Sequence, residues 1–369
     1  MSVNVNQIAK VINTLYPESG ASEWDNSGFQ LNMNNETDEV LVCLDLTPDI
    51  IKEAAAKNCN FIVSHHPILF HPIKNINSDK YIDNLIIELI KNNISLYSAH
   101  TSADNAINGL NKALADILEL TGIEFLEPIK HLKTYKISVV VPDEKADDIR
   151  NAIYGAGGGR YGKYKESSFT IPGYGEFVPI QGAKPYKGKL DKKEEIAELR
   201  IETIVESTYL PQVVEAVKAA HPYEEPVIDI FELVSNVNYF AGTGICGELP
   251  EDLKIGSVID KLKISLKLEN VRLKGDINNK VKIVAICGGA GGDLIHEAVK
   301  LGADLFITGE VKHNIYLEND INILELGHYE SEKCFCEMVA DSLQKACDSV
   351  KYKVIVRASE KERAPYTVY

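Results

Sequence analysis

The sequence predicts an α/β protein: two related α/β lobes with largely parallel sheets, and a ferredoxin-like α+β domain inserted between them. Three observations carry this reading. A strand–helix–strand unit near the start is written again 244 residues on, from Phe61 to Leu305. The strands of both copies are short continuous apolar runs, as parallel strands buried on both faces read. The residues between them follow a different order, with two helices set among several strands in the split βαβ manner. The expected domains are 1–128, 129–235 and 236–369, in keeping with ~100–200 residues per domain.

The opening MSVNVNQIAKVINTLYP carries polar residues at every third or fourth place and predicts an amphipathic helix. Val40-Leu41-Val42-Cys43-Leu44 predicts a buried strand, Pro48 a helix start, and Ile50 to Asn58 the helix itself. Phe61-Ile62-Val63 is the next strand and runs into Ser64-His65-His66. Ile94 to His100 is another, with Asp104 four residues on.

In the insert, strands are expected at Tyr135–Val141, Ser167–Ile171, Gly175–Ile180, Glu198–Val205 and Val227–Leu233. Helices are expected at Glu144–Tyr154 and Leu210–Ala220. His221-Pro222-Tyr223-Glu224-Glu225-Pro226 reads as a rigid connection between helix and strand. The second lobe then repeats the first. Val281–Ile286 is a strand, a glycine-rich stretch leads to a helix from Asp293, and Leu305-Phe306-Ile307 follows. The strand Ile323 to His328 has Glu332 four residues on. In the overlay Asp49, Glu53 and Ala54 fall on Asp293, Glu297 and Ala298, and His65-His66 falls on Gly309-Glu310.

Charge excludes one class of function. The 54 acidic against 39 basic residues leave −15, a field that repels phosphate backbones. The densest basic stretch, Lys184 to Lys193, reads as a solvated loop. No apolar run approaches the ~20 residues of a membrane span, and the N-terminus lacks the pattern of a signal peptide. The seven cysteines are odd in number, and Cys334-Phe335-Cys336 has the wrong gap for a zinc knuckle. A reduced, cytoplasmic protein is expected.

Strand ends are where α/β sheets place their functional crevice. His65, His66, His100 and His328, with Asp104 and Glu332, all fall there. Adjacent histidines diverge on a regular strand; Pro67 predicts the turn that lets both serve one site. Any one of these histidines reads as readily as a core or surface residue. Their placement together by a duplication points to a metal site. Imidazole plus carboxylate without thiolate suits zinc, manganese, iron or nickel. Two carboxylates leave two divalent ions with surplus positive charge, which favours an anionic substrate group. A metal pair activates water and clamps an oxyanion, so hydrolysis is the expected reaction class.

Cys287-Gly288-Gly289-Ala290-Gly291-Gly292-Asp293 is either a tight turn or an anion cradle at a helix start. Glu310 and His313 either line the cleft or merely begin a helix.

Taken together, Trp24-Asp25-Asn26-Ser27-Gly28, Ser64-His65-His66-Pro67, His100-Thr101-Ser102-Ala103-Asp104, Thr308-Gly309-Glu310 and Gly327-His328-Tyr329-Glu330-Ser331-Glu332 resemble the Nif-three-like family, the GTP cyclohydrolase 1 type 2 homologues. The insert, with its His221–Pro226 motif, is similar to that of the longer bacterial branch, whose middle domain resembles PII/CutA-type proteins. The resemblance implies a dinuclear site held by His65, His66, Asp104, His328 and Glu332, with Glu332 bridging two divalent ions. It places His100 beside the metals as a proton donor or acceptor. It further implies a ring-like homohexamer with the insert over the ring openings; charge and hydropathy add that neither nucleic acid nor membrane is an expected partner, and that a small anion is the expected substrate. The implied reaction is hydrolytic opening of the GTP imidazole ring with release of formate, or hydrolysis of another nucleotide or phosphorylated metabolite. A non-catalytic hexameric regulator or adaptor is the alternative.

Overall fold

The structure, a computed structural model, describes residues 2–161 and 164–367, with backbone alone at 130–132 and 235–240. It is a mixed α/β protein. The chain divides into two compact units: Met1–Lys130 with Phe240–Tyr369, and His131–Tyr239.

The larger unit holds two sheets of similar plan. In the first, the order is Ile355–Ala358, Glu39–Cys43, Phe61–Ser64, Ser95–Ser98 and Gly28–Leu31. The first four run parallel and the last antiparallel. In the second, Lys280–Cys287, Leu305–Thr308 and Asn322–Glu325 are parallel neighbours. Antiparallel strands flank them, Arg272–Lys274 on one side and residues 245–254 of the long strand Ile228–Lys254 on the other. The sheets are thus mixed at their edges and parallel at their centres.

Continuous apolar runs make sense because both faces are covered. On the first sheet Val40, Val42, Phe61 and Val63 face helices Val5–Leu15 and Phe335–Ser349 through Ile8, Ile12, Phe335, Val339 and Leu343. The alternate residues Leu41, Cys43 and Ile62 meet Ile50, Ile51, Ala54, Leu85 and Leu89 on the opposite face. Helix Pro48–Ala56 begins where Thr47 accepts a hydrogen bond from Ile50 N and Pro48 fills the first position, which needs no donor.

The strand register sets which residues of the two strand ends correspond. Ser64 pairs with Ser98, and its counterpart Thr308 pairs with Glu325. His100, two residues past Ser98, therefore corresponds to Gly327 and not to His328. Both precede short helices, Thr101–Asp104 and His328–Glu332. The predicted helix from Asp293 starts instead as a 3₁₀ turn, Gly291–Leu294, followed by Ile295–Lys300.

In the smaller unit, Phe169–Phe177 pairs antiparallel with Glu194–Glu206, which pairs antiparallel with the C-terminal part of Thr121–Pro142. One face, with Ile137, Val139, Val141, Ile201 and Val205, lies under helices Ala146–Gly155 and Leu210–Ala220. Two strands expected at Ser167–Ile171 and Gly175–Ile180 are here a single one through Pro172. It is an edge strand, where the missing N–H of proline costs little.

No helix among the described residues is long and apolar enough to cross a membrane.

Candidate metal centre

All six residues singled out at strand ends come together in the larger unit. The strand carrying the twin histidines stops at Ser64, and the chain turns at once. The amides of His65 and His66 both donate to the carbonyl of Leu44, at 3.1 and 3.0 Å, and Ser64 Oγ donates to His66 O. The two rings are thereby folded to one side, 4.9 Å apart between centroids. His65 is fully buried against Phe335, the first residue of the helix that follows Glu332. That helix caps the first sheet, so its packing delivers His328 and Glu332 to the histidines of the other lobe.

Glu332 is the centre of the cluster. Its Oε1 lies 3.8 Å from His65 Nε2, while Oε2 lies 3.3 Å from His66 Nε2 and 3.2 Å from His328 Nε2. Asp104 Oδ1 stands 3.6 Å from His65 Nε2. His66, His328 and Glu332 form one group that could hold a metal ion, and His65, His66 and His100 form another.

Each histidine is aimed by a partner on its other nitrogen. His65 Nδ1 is bonded to Ala99 O at 3.0 Å, His66 Nδ1 to Asp45 at 2.9 Å, and His100 Nδ1 to Asp25 at 2.8 Å. Glu310 stands 3.2 Å from His328 Nδ1. This is the arrangement in which outer carboxylates and carbonyls fix the tautomer of metal-binding imidazoles.

The donor set fits a cation on its electrostatics as well. His65 Nε2, Asp104 Oδ1 and Glu332 Oε2 are buried without a hydrogen-bond partner among the described residues, a costly state unless something completes it. Burial alone would lower the pKa of His66, yet the hydrogen bond to Asp45 and the adjacent Glu332 carboxylate push it up to about 10. Burial would raise the Glu332 carboxyl, but the imidazoles of His328, His65 and His66 beside it hold it well below the usual carboxylate range. The site therefore draws positive charge inward.

The glycine-rich stretch has a steric role here. Gly289 has φ +60°, and a Cβ on it would overlap Glu332 Oε1. Its amide donates to Ser331 Oγ at 3.0 Å, and Gly288 N donates to buried Asn111 Oδ1 at 2.8 Å. Asn111 in turn donates to Asp104 O, tying the loop to the first lobe's acid. Thus the loop seats Glu332. Of the remaining pair, Glu310 reaches the cluster, whereas His313 is exposed at the start of helix His313–Glu318.

Asp25, Asp45 and Asn111 carry roles that sequence reasoning left unassigned. Asp25 is fully buried at its side chain. Burial alone would raise its carboxyl, but hydrogen bonds from His100, Thr101 and Ser27 hold it well below its ordinary value. Trp24 and Phe70, both exposed, stand edge-on to His100 with ring centroids 5.8 and 5.9 Å away. A cleft of about 1260 Å³ opens beside His328 and Glu310, bounded further by Arg272, Lys312, Tyr329 and Lys333.

Comparison with known proteins places this geometry. A family model described as Duf34/NIF3 (NGG1p interacting factor 3) matches residues 3–365. A Bacillus subtilis (strain 168) protein named GTP cyclohydrolase 1 type 2 homolog is 34% identical over 371 residues, covering 99% of each chain. Among solved structures, a Bacillus cereus protein related to NIF3 matches with TM-score 0.92 and 34% identity over 100% of this chain and 99% of that one. Staphylococcus aureus protein SA1388 matches with TM-score 0.79 and 26% identity, over 100% and 99%.

Proposed function

Because the chain belongs to the Duf34/NIF3 family, we propose that it is a divalent-metal-dependent hydrolase whose two-ion site is held by His65, His66, Asp104, His328 and Glu332. The observation that carries this reading is Glu332, a buried carboxylate whose two oxygens face different donor sets. One carboxylate facing two sets favours two ions over one. Zinc, manganese, iron or nickel would supply Lewis-acid activation of water there.

The protein's own residues supply the rest. Asp25 fixes Nδ1 of His100 and leaves the other ring nitrogen to carry a proton at the edge of the cluster. Trp24 and Phe70 offer apolar ring faces beside it, suited to a planar base. The adjoining cleft is large enough for a nucleotide. The name of the Bacillus subtilis relative makes GTP, opened at its imidazole ring, the first substrate to test; phosphorylated metabolites follow.

The seven free thiols support a cytoplasmic setting. The element order of the smaller unit supports a ferredoxin-like insert. A homohexamer rests on the family resemblance, and light scattering should give six times the mass of one chain.

The deciding experiment measures turnover of GTP and a phosphometabolite panel by protein loaded separately with each metal, with Asp104→Ala as control. Formate released from GTP, or hydrolysis of another compound, that disappears in the variant supports the hydrolase. Silence across the panel despite tight metal binding would overturn it in favour of a regulator.

A further inference from the structure

The smaller unit has one face under its helices and one that the helices leave bare. On the bare face, Glu198 is paired across the strands with Gly173, and Gly175 is the next residue on that side. Neither glycine carries a side chain to fill the sheet surface. Around a Cβ placed on Gly173 there is open space, and one on Gly175 would overlap Glu198 Oε2. The result is a hollow of about 650 Å³, walled by Phe177, Tyr186 and Tyr223 and floored by Glu198. That volume is in the range of small-molecule sites.

Glu198 is more than nine-tenths buried, at 8% exposure. Its Oε1 accepts from Tyr223 Oη at 2.6 Å; Oε2 lies over Gly175, on the side of the hollow. Acidic groups outnumber basic ones in the lining, where Glu176, Glu198, Glu224 and Glu225 stand with Lys184 and Arg200. Glu176 pairs with Lys193 at 2.7 Å, and Arg200 reaches Glu202 at 3.3 Å. Glu224 accepts from the Lys184 amide at 2.8 Å.

The sequence motif His221–Pro226 builds this wall. His221 is buried, with Nε2 bonded to Val140 O at 2.9 Å, and its Nδ1 accepts from Tyr223 N at 3.1 Å. Tyr223 is thereby fixed with its ring 6.1 Å from Tyr186 and its hydroxyl on Glu198. A carboxylate on a largely buried residue, with one oxygen left facing the hollow beside aromatic rings, selects a cation that carries N–H groups. It also repels phosphates.

We propose that this hollow binds a small organic cation, a protonated amine or guanidinium on an apolar or aromatic body. The proposal is independent of the metal centre and gives the smaller unit a ligand of its own.

The test titrates the full chain by calorimetry with agmatine and tyramine, with 4-ethylphenol as a neutral counterpart of tyramine and GTP as an anionic competitor. Saturable binding of at least one amine is expected. Glu198→Gln should weaken it at least about tenfold, as loss of a hydrogen bond to a charged group does. Tyr186→Ala, at a residue 43% exposed and so harmless to the fold, should also weaken it. Asp104→Asn should leave it unchanged. Absence of saturation by both amines overturns the proposal. So does 4-ethylphenol or GTP binding as tightly as the amines, or amine binding indifferent to both Glu198→Gln and Tyr186→Ala. Should Glu198→Gln lower the melting temperature, Tyr186→Ala decides alone.

Discussion

Replacing Gly289 with alanine separates a loop that merely turns from one that seats a metal ligand. Gly289 sits at φ +60°, a conformation that costs an L-residue about 1–2 kcal/mol. In a unit of this size that lowers the melting temperature by only a few degrees. The new methyl would overlap Glu332 Oε1, and because that oxygen ends a flexible side chain, the carboxylate gives way before the backbone does. A retreat of about 1.5 Å restores ordinary contact but withdraws the oxygen from the place where it faces His65. Displacing a ligand on this scale should lower metal affinity by about 10–100-fold, or roughly 1.4–2.8 kcal/mol. Competition against a zinc chelator, with a thermal melt of the metal-free protein alongside, reads both quantities. A melt lowered by a few degrees with wild-type zinc affinity would refute the reasoning and leave the loop a simple turn.

Three other outcomes are expected. Asp25→Asn should cut turnover about 10–100-fold with metal affinity retained, since it frees the ring of His100 without touching the five ligands; kcat and metal titration measured together check this. Leu343→Ala empties a fully buried position between the late helix and the first sheet and should cost about 2–5 kcal/mol in urea denaturation. At Glu53 burial would raise the carboxyl, but bonds from Ser359, Lys57 and the Glu360 amide hold it below its ordinary value. A carboxyl depressed in the folded state stabilises above its unfolded pKa and loses that contribution as the pH falls through the folded one. Glu53→Gln should therefore destabilise the protein near neutrality and flatten its acid-side loss of stability, as melts across pH 3–7 would show.

The parts of the site carried by short-range pattern were legible in the sequence. Two parallel strand–helix–strand units could be read from apolar runs, and their ends marked His65, His66, His100, Asp104, His328 and Glu332 as neighbours. Pro67 signalled the turn that brings the twin histidines round. The outer layer was not legible, because Asp25 meets His100 across 75 residues and Asp45 meets His66 across 21. Neither distance is periodic. The correspondence of the two strand ends was hidden too, since each carries a histidine, yet pairing aligns Ser98 with Glu325 and so His100 with Gly327. Likewise, the strands expected at Ser167–Ile171 and Gly175–Ile180 are one in the fold, where Gly173 and Gly175 make room beside Glu198.

The strand Ile355–Ala358 completes the first sheet by pairing with Glu39–Cys43, near the other end of the sequence. During synthesis the early half must therefore wait, its Val40, Val42 and Phe61 face open, until the helix Phe335–Ser349 and this strand leave the ribosome. Contacts so distant along the chain slow folding and leave apolar surface exposed in the interval. The same closure brings Glu332 to His65. A nascent or truncated chain consequently has no complete cluster with which to capture a metal ion before the protein is finished.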